Sequence, residues 1–314
     1  MSARRRIVLD TDMGSDADDA LCLALALAAP ELELVGVTCV GRESRLRAQI
    51  ARRLVELAGA PQIPVYAGCR TPLLGGPGYN WFGHEGLGIL EPGLEPAIEP
   101  MHGADALLAL SERWPGLEIV AVGPLTNLAL ALAKDPDFAA RVGRLTVMGG
   151  HLRQVAYRGR VFPFGVDYNL CSDPHASLSV LRSGIPTRLV TADVTLQTWL
   201  RDEDVVRLEK SGSELQAALA RAVRLWTPVQ RRLLDPEPGD GFDNAAFLHD
   251  PLTLACAYDE SFCGFETLEI EPAIVDGVFR TIERLAPTRS TFPMRCATSV
   301  DAERFRSHFV GRVA

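Results

Sequence analysis

Five carboxylates fall within ten residues near the start of the chain: Asp10, Asp12, Asp16, Asp18 and Asp19, in DTDMGSDADDA. Two like charges about 4 Å apart repel by roughly 4 kcal/mol at an effective dielectric near 20. A group of this density is held together by a cation or by shared protons. Carboxylates are hard oxygen ligands, and no Cys or His is interleaved with them, so the pattern points to Mg²⁺ or Ca²⁺ rather than zinc. A helix cap by Asp16 or Asp18 would account for one of them; five exceed that need. Further along, His249-Asp250-Pro251 sets a proton carrier beside another carboxylate, and Asp167 and Asn169 follow Met148-Gly149-Gly150. Taken singly, these have plainer readings: Asp167 and Asn169 as turn residues, Met148 as core, His249 as a buried ring. His102, His151, His175 and His308 are expected to be structural or to face solvent.

These residues need elements to position them. Residues 7–9 are a short apolar run that reads as a buried strand. Gly14-Ser15 makes a turn, and the Ala/Leu-rich stretch after it has strong helix propensity up to Pro30. Further strands are expected at 34–40, 63–67, 118–122, 144–148 and 187–190. Helices are expected at 42–59, 104–113, 128–133, 174–183, 202–209, 214–234 and 247–257. Residues 68–100, rich in Gly and Pro and carrying Trp81, Phe82 and His84, lack a period; a loop of that length is a candidate lid. Residues 151–173 read as irregular. The tail from 267 reads as one or two antiparallel strands and a last helix around 301–309. Strands alternating with helices give an α/β fold, a mostly parallel central sheet flanked by helices in a Rossmann-like arrangement. With no repeat, low-complexity segment or linker, residues 1–314 are expected to form a single domain. Ligands of such sheets bind beyond the carboxyl ends of the strands. The Asp cluster, Gly123-Pro124-Leu125-Thr126-Asn127, Met148-Gly149-Gly150 and Ala192-Asp193-Val194-Thr195 each sit just after an expected strand.

Composition excludes other classes. Of 314 residues, 47% are hydrophobic, enough for a substantial core, and the net charge is −8. The only lysines are Lys134 and Lys210, which argues against a nucleic-acid surface. Arg42, Arg45, Arg47, Arg52 and Arg53 read as the wet face of one helix. Seven cysteines, odd in number and without a CxxC pair, fit a reducing compartment. No signal-like run precedes the first strand, and the nearly apolar run 20–29 is too short to cross a bilayer. A cytoplasmic protein with no membrane partner is expected.

With DTDMGSDADDA, VGPLTNLALAL, MGG, DYNLCSDP and LHDPLTLA in this order, the chain resembles the nucleoside hydrolase family, the inosine–uridine-preferring nucleoside N-ribohydrolases, over nearly its whole length. The resemblance implies the nucleoside hydrolase fold, a small-molecule nucleoside substrate, Ca²⁺-dependent hydrolysis of the ribose–nucleobase bond, and a homodimer or homotetramer. It implies that Asp12 is both the base for the attacking water and a metal ligand. Asp19, the Thr126 backbone carbonyl and Asp250 complete the implied metal set, with Asp10 in support. Asp18, Asp167 and Asn169 are implied to hold ribose hydroxyls, Met148 to line the sugar pocket, and His249 to protonate the departing base; His84 is a further substrate-contact candidate. The chain departs from the family pattern in several places. Two extra residues bring in Asp16, which can replace or supplement a ligand. Gly41-Arg42-Glu43 stands where an Asn is usual, Asp167 replaces a Glu, Tyr168 replaces a Phe, and the Asn expected around 160–162 is missing. The metal end of the pattern is intact and the ribose end is edited. Two competing functions follow: a catalytically weakened nucleoside or sugar binder, and a haloacid-dehalogenase-like phosphohydrolase. The second wants Gly-Thr after the second Asp and a lysine in the site, where this chain has Met13-Gly14-Ser15 and Lys134 at a helix end.

Overall fold

Ile7, Val8 and Leu9 are fully withdrawn from water because their strand is covered on both faces. The computed structural model describes residues 4–14, 16–75, 85–162, 164–234 and 243–314. Ser15, Trp81, Phe82 and the candidate His84 lie outside the described residues. In chain order the strands are β1 (Arg5–Thr11), β2 (Leu32–Cys39), β3 (Val65–Ala67), β4 (Leu117–Ala121), β5 (Val142–Met148), β6 (Val155–Tyr157), β7 (Arg160–Phe162) and β8 (Thr187–Val190). They continue as β9 (Trp199–Arg201), β10 (Asn244–Phe247), β11 (Cys263–Val275), β12 (Val278–Arg284) and β13 (Phe292–Val300). Nine of them form the main sheet in the order β12-β11-β13-β8-β5-β4-β1-β2-β3. From β13 to β3 every pairing is parallel; β11 pairs antiparallel with both β12 and β13. This is a single α/β domain built on a mostly parallel sheet.

Side chains alternate between the faces of a strand, and the cores obey that rule. Ile7 and Leu9 pack on one side with helices Asp18–Ala28, Ser44–Leu57 and His249–Tyr258. Val8 packs on the other with Gly103–Arg113, Thr126–Lys134 and Pro174–Leu181. Each fully buried aliphatic side chain contributes about 1.5–3 kcal/mol, which fixes the strands whose ends carry the polar motifs. β1, β4, β5 and β8 are neighbours and parallel, so the four motifs that follow them share one rim.

The structure differs from expectation at several points. The tail carries three antiparallel strands, β11, β12 and β13, rather than one or two. Residues 244–247 are a strand paired with β9, and the helix begins only at His249. Residues 155–162 form the β6–β7 hairpin, closed by Arg158 and Gly159, both at positive φ (49° and 77°) as a tight hairpin turn demands. Arg47 is not on a wet face: it is 4% exposed. No helix among the described residues is long and apolar enough to cross a membrane.

Candidate active site

β1 delivers Asp10 and Asp12 to the rim. Asp10 is fully buried and accepts hydrogen bonds from Thr38 Oγ1 (2.5 Å) and Asn127 Nδ2 (2.7 Å). Burial pushes its carboxyl up to about 7 against the pull of those two donors. Asp12 follows the strand and stands against Gly123, where a Cβ would lie 2.8 Å from both the Asp12 nitrogen and its Oδ1. Only glycine leaves room for this carboxylate. Helix Asp18–Ala28 starts with Ala17 at its cap position and no side-chain cap there. Asp16 accepts from the Ala17 amide at 2.6 Å, so this extra carboxylate supports the helix start while also facing the cavity.

Asp18, Asp19 and Asp250 are buried, and one oxygen of each lies within 4.8 Å of the others. Burial, then repulsion from neighbouring carboxylates, Asp12 and Asp16 included, drives all three carboxyls well above the usual range. Thr11 Oγ1 donates a hydrogen bond to Asp19. Asp12 is raised by burial and pulled back by Arg47. Three buried hard-oxygen donors that repel one another, with no Cys or His in the group, can hold a divalent cation. Thr126 opens the helix after β4 at the same rim; its Oγ1 donates to Asp173 at 2.8 Å, and that Asp173 oxygen also accepts from the Leu73 amide at 2.6 Å.

A cavity of about 280 Å³ opens beside the carboxylates. Asp12, Asp16, Asp18, Asp19 and Asp250 line it together with Met148, Asp167, Asn169 and His249. Of the expected site residues, Thr126 and Asp10 stand behind this lining. Asp167 and Asn169 also serve the local fold. Asp167 caps the short helix Tyr168–Ser172 by accepting from the Leu170 amide at 2.9 Å, and burial raises it to about 6. Asn169 donates to the Val122 carbonyl at 2.9 Å and to the Met148 carbonyl at 3.2 Å. His249 stacks on Phe247 with centroids 5.0 Å apart, and its Nδ1 is 2.7 Å from Thr195 Oγ1. Burial depresses the ring to about 4, so a proton placed on it is readily given up. Trp226, Phe247 and Leu196 make this end of the cavity apolar. Lys134 is on the surface, paired with Asp105, and takes no part.

Sequence reasoning gave no role in the site to Arg47, Asn127, Asp173 or His151. Arg47 lies 4.0 Å from Asp12 Oδ2 and 3.6 Å from Glu85, and donates to the Met13 carbonyl at 3.2 Å. Its spacing from Ala51 and Leu54 on the buried face of its helix was the available signal. Asn127 accepts from the Cys69 amide at 2.8 Å while it holds Asp10, tying the loop after β3 to β1. His102 behaves as expected, accepting from the Ala104 amide as a helix cap.

Comparison with known proteins bears on this geometry. The model of the inosine–uridine preferring nucleoside hydrolase family matches residues 7–307. A pyrimidine-specific ribonucleoside hydrolase of Klebsiella pneumoniae is 34% identical over 257 residues, 79% of this chain and 78% of that protein. Uridine nucleosidase 1 of Arabidopsis thaliana is 32% identical over 263 residues, 81% of this chain and 74% of that protein. Among solved structures, a plant nucleoside hydrolase superposes with a TM-score of 0.84 at 29% identity, covering 99% of both chains. A purine-preferring ribonucleoside hydrolase from Gardnerella vaginalis gives 0.84 at 25% identity, covering 98% of both. With its acidic cluster at the rim of the same fold, the chain belongs to the inosine–uridine preferring nucleoside hydrolase family and hydrolyses the N-glycosidic bond of nucleosides.

Proposed function

We propose that the protein is a Ca²⁺-dependent hydrolase that splits a ribonucleoside into ribose and free base, with uridine the first substrate to try. The observation that carries this reading is the buried Asp18–Asp19–Asp250 group opening on the same cavity as Asp12 and His249. Uridine is favoured because relatives at 30–34% identity are named as uridine nucleosidases or pyrimidine-specific hydrolases. Asp19, Asp250, Asp12 and the Thr126 carbonyl would hold the calcium ion, with Asp10 behind them and Asp16 as an additional carboxylate. A bound calcium ion lowers the pKa of a water and orients it.

The chain's own residues do the rest. Asp12 takes the proton from the attacking water. Breaking an N-ribosidic bond builds positive charge on the sugar and negative charge on the base. Asp18 holds ribose hydroxyls and, with its neighbours, favours the sugar cation; Asp167, Asn169 and Met148 shape the sugar pocket. His249, oriented through Nδ1 by Thr195, supplies a proton to the base. Phe247 and Trp226 keep water from the leaving-group end.

Seven free cysteines support a reducing, cytoplasmic setting, and family membership supports a homodimer or homotetramer, which light scattering would read. The deciding assay gives chelated and Ca²⁺-restored protein to uridine, cytidine, inosine and adenosine and follows ribose and free base. Ca²⁺-dependent base release is expected. Tight substrate binding without release would instead identify a binder, and phosphate release from phosphate esters would identify a phosphohydrolase.

A further inference from the structure

His151 follows Met148-Gly149-Gly150 at the end of β5, on the rim shared by the catalytic carboxylates. It is 4% exposed and lines the cavity. Its backbone is pinned on both sides: its amide donates to Thr281 Oγ1 at 3.0 Å, and its carbonyl accepts from the Gly165 amide at 2.8 Å. Nδ1 lies 3.1 Å from the Val166 carbonyl. A carbonyl can only accept, so Nδ1 carries a hydrogen and the ring orientation is set. That leaves Nε2, which is withdrawn from water and has no hydrogen-bond partner among the described residues. Buried polar atoms in native proteins are nearly always paired, and an exception asks for an explanation. Here the atom belongs to a ring that borders a ligand cavity.

We propose that His151 reads the exocyclic 5′-hydroxyl of the substrate's sugar through Nε2. This rests on the nucleoside hydrolase reading above. In that reading the anomeric carbon lies between Asp12 and His249, and the vicinal 2′- and 3′-hydroxyls belong to the carboxylate side. The remaining hydroxyl projects from C4′, across the ring oxygen from the base. The wall left to receive it is lined by His151, Val166 and Asp167. A hydroxyl both donates and accepts, so it pairs with Nε2 whether that atom offers a lone pair or an N–H. A 5′-phosphate would instead meet Asp167 and the acidic rim. His151 is thus a specificity residue for the sugar.

The test compares uridine with 5′-deoxyuridine and 3′-deoxyuridine in the wild type, His151→Phe and His151→Gln. The wild type is expected to favour uridine over 5′-deoxyuridine by about 10-fold or more in kcat/KM, since a site built for a hydroxyl rejects the analogue lacking it. His151→Phe should bring that ratio close to one, and His151→Gln should restore part of it. The preference for uridine over 3′-deoxyuridine should stay as in the wild type. Each ratio is measured within one preparation, so a poorly folded fraction cancels. An unchanged 5′ ratio in His151→Phe, or an equal fall in the 3′ ratio, overturns the proposal, as does faster cleavage of uridine 5′-monophosphate than of uridine. If the wild type binds uridine calorimetrically but cleaves nothing, the hydrolase reading fails, and the same ratios taken from affinities still decide the role of His151.

Discussion

Asp12 stands between opposing influences. Burial raises its carboxyl, and the guanidinium of Arg47 pulls it back. Replacing it by Asn keeps the shape and removes the ability to take a proton. Asp12→Asn is therefore expected to lower kcat by about 10²–10⁴-fold, with circular dichroism and melting behaviour unchanged; near-normal base release would refute the assignment. His249 makes a second case. If it protonates the leaving base, His249→Ala should lose about 10²–10⁴-fold on uridine and far less on p-nitrophenyl riboside, whose leaving group needs no proton. Equal losses on the two substrates would reduce His249 to a packing role. At this scale the sequence was readable where chemistry demanded unusual density, as in the Asp run. It was opaque where an ordinary residue type did the work. Arg47 lay hidden among four other arginines, and His151 resembled any other histidine in a loop.

The elements explain why the site is rigid. β1 and β4 are paired so that Gly123 meets Asp12 without a side chain between them. Gly123→Ala must displace either the Asp12 backbone or its carboxylate, and a shift of this size is worth about 10²-fold in rate. An alanine variant with wild-type kcat would show that the contact does not set the geometry. A second brace runs from Thr126 through Asp173 to Leu73. Thr126→Val keeps the main-chain carbonyl and deletes the hydroxyl, so it should weaken calorimetric Ca²⁺ binding by about 10–100-fold. Unchanged affinity would leave Asp173 only its cap on helix Pro174–Leu181, where it accepts from the Ala176 amide at 3.0 Å. β1, β4, β5 and β8 were legible because strands buried on both faces are continuous apolar runs. The β6–β7 hairpin was not, because β7 is exposed or half-exposed along its length and carries no such pattern. Strand β10 merged with the following helix because Leu248 continues the same apolar run.

At the scale of the molecule, the cluster couples charge to stability. Asp10 and Asp16 are each pushed to about 7 by burial, above their value in an unfolded chain. A group raised in this way favours the folded state below its unfolded pKa, and that contribution disappears as pH rises through the folded value. Chelated protein should therefore melt lower at about pH 8.5 than at about pH 6. Saturating Ca²⁺ should shrink the difference, because an ion that binds only the folded state stabilises it. A chelated protein whose melting temperature ignores pH in this window would contradict the charge account. The distribution of the cluster along the chain has one more consequence, for the protein as it is made. Asp19 and Asp250 are separated by about 230 residues, which a ribosome adds in on the order of 10–50 s at about 5–20 residues per second. Through that interval β1, β2 and β4 can already pair while the N-terminal carboxylates lack Asp250. An ion held by this cluster would be captured only after the six strands β1, β2, β3, β4, β5 and β8 have been made, with β11, β12 and β13 still to follow.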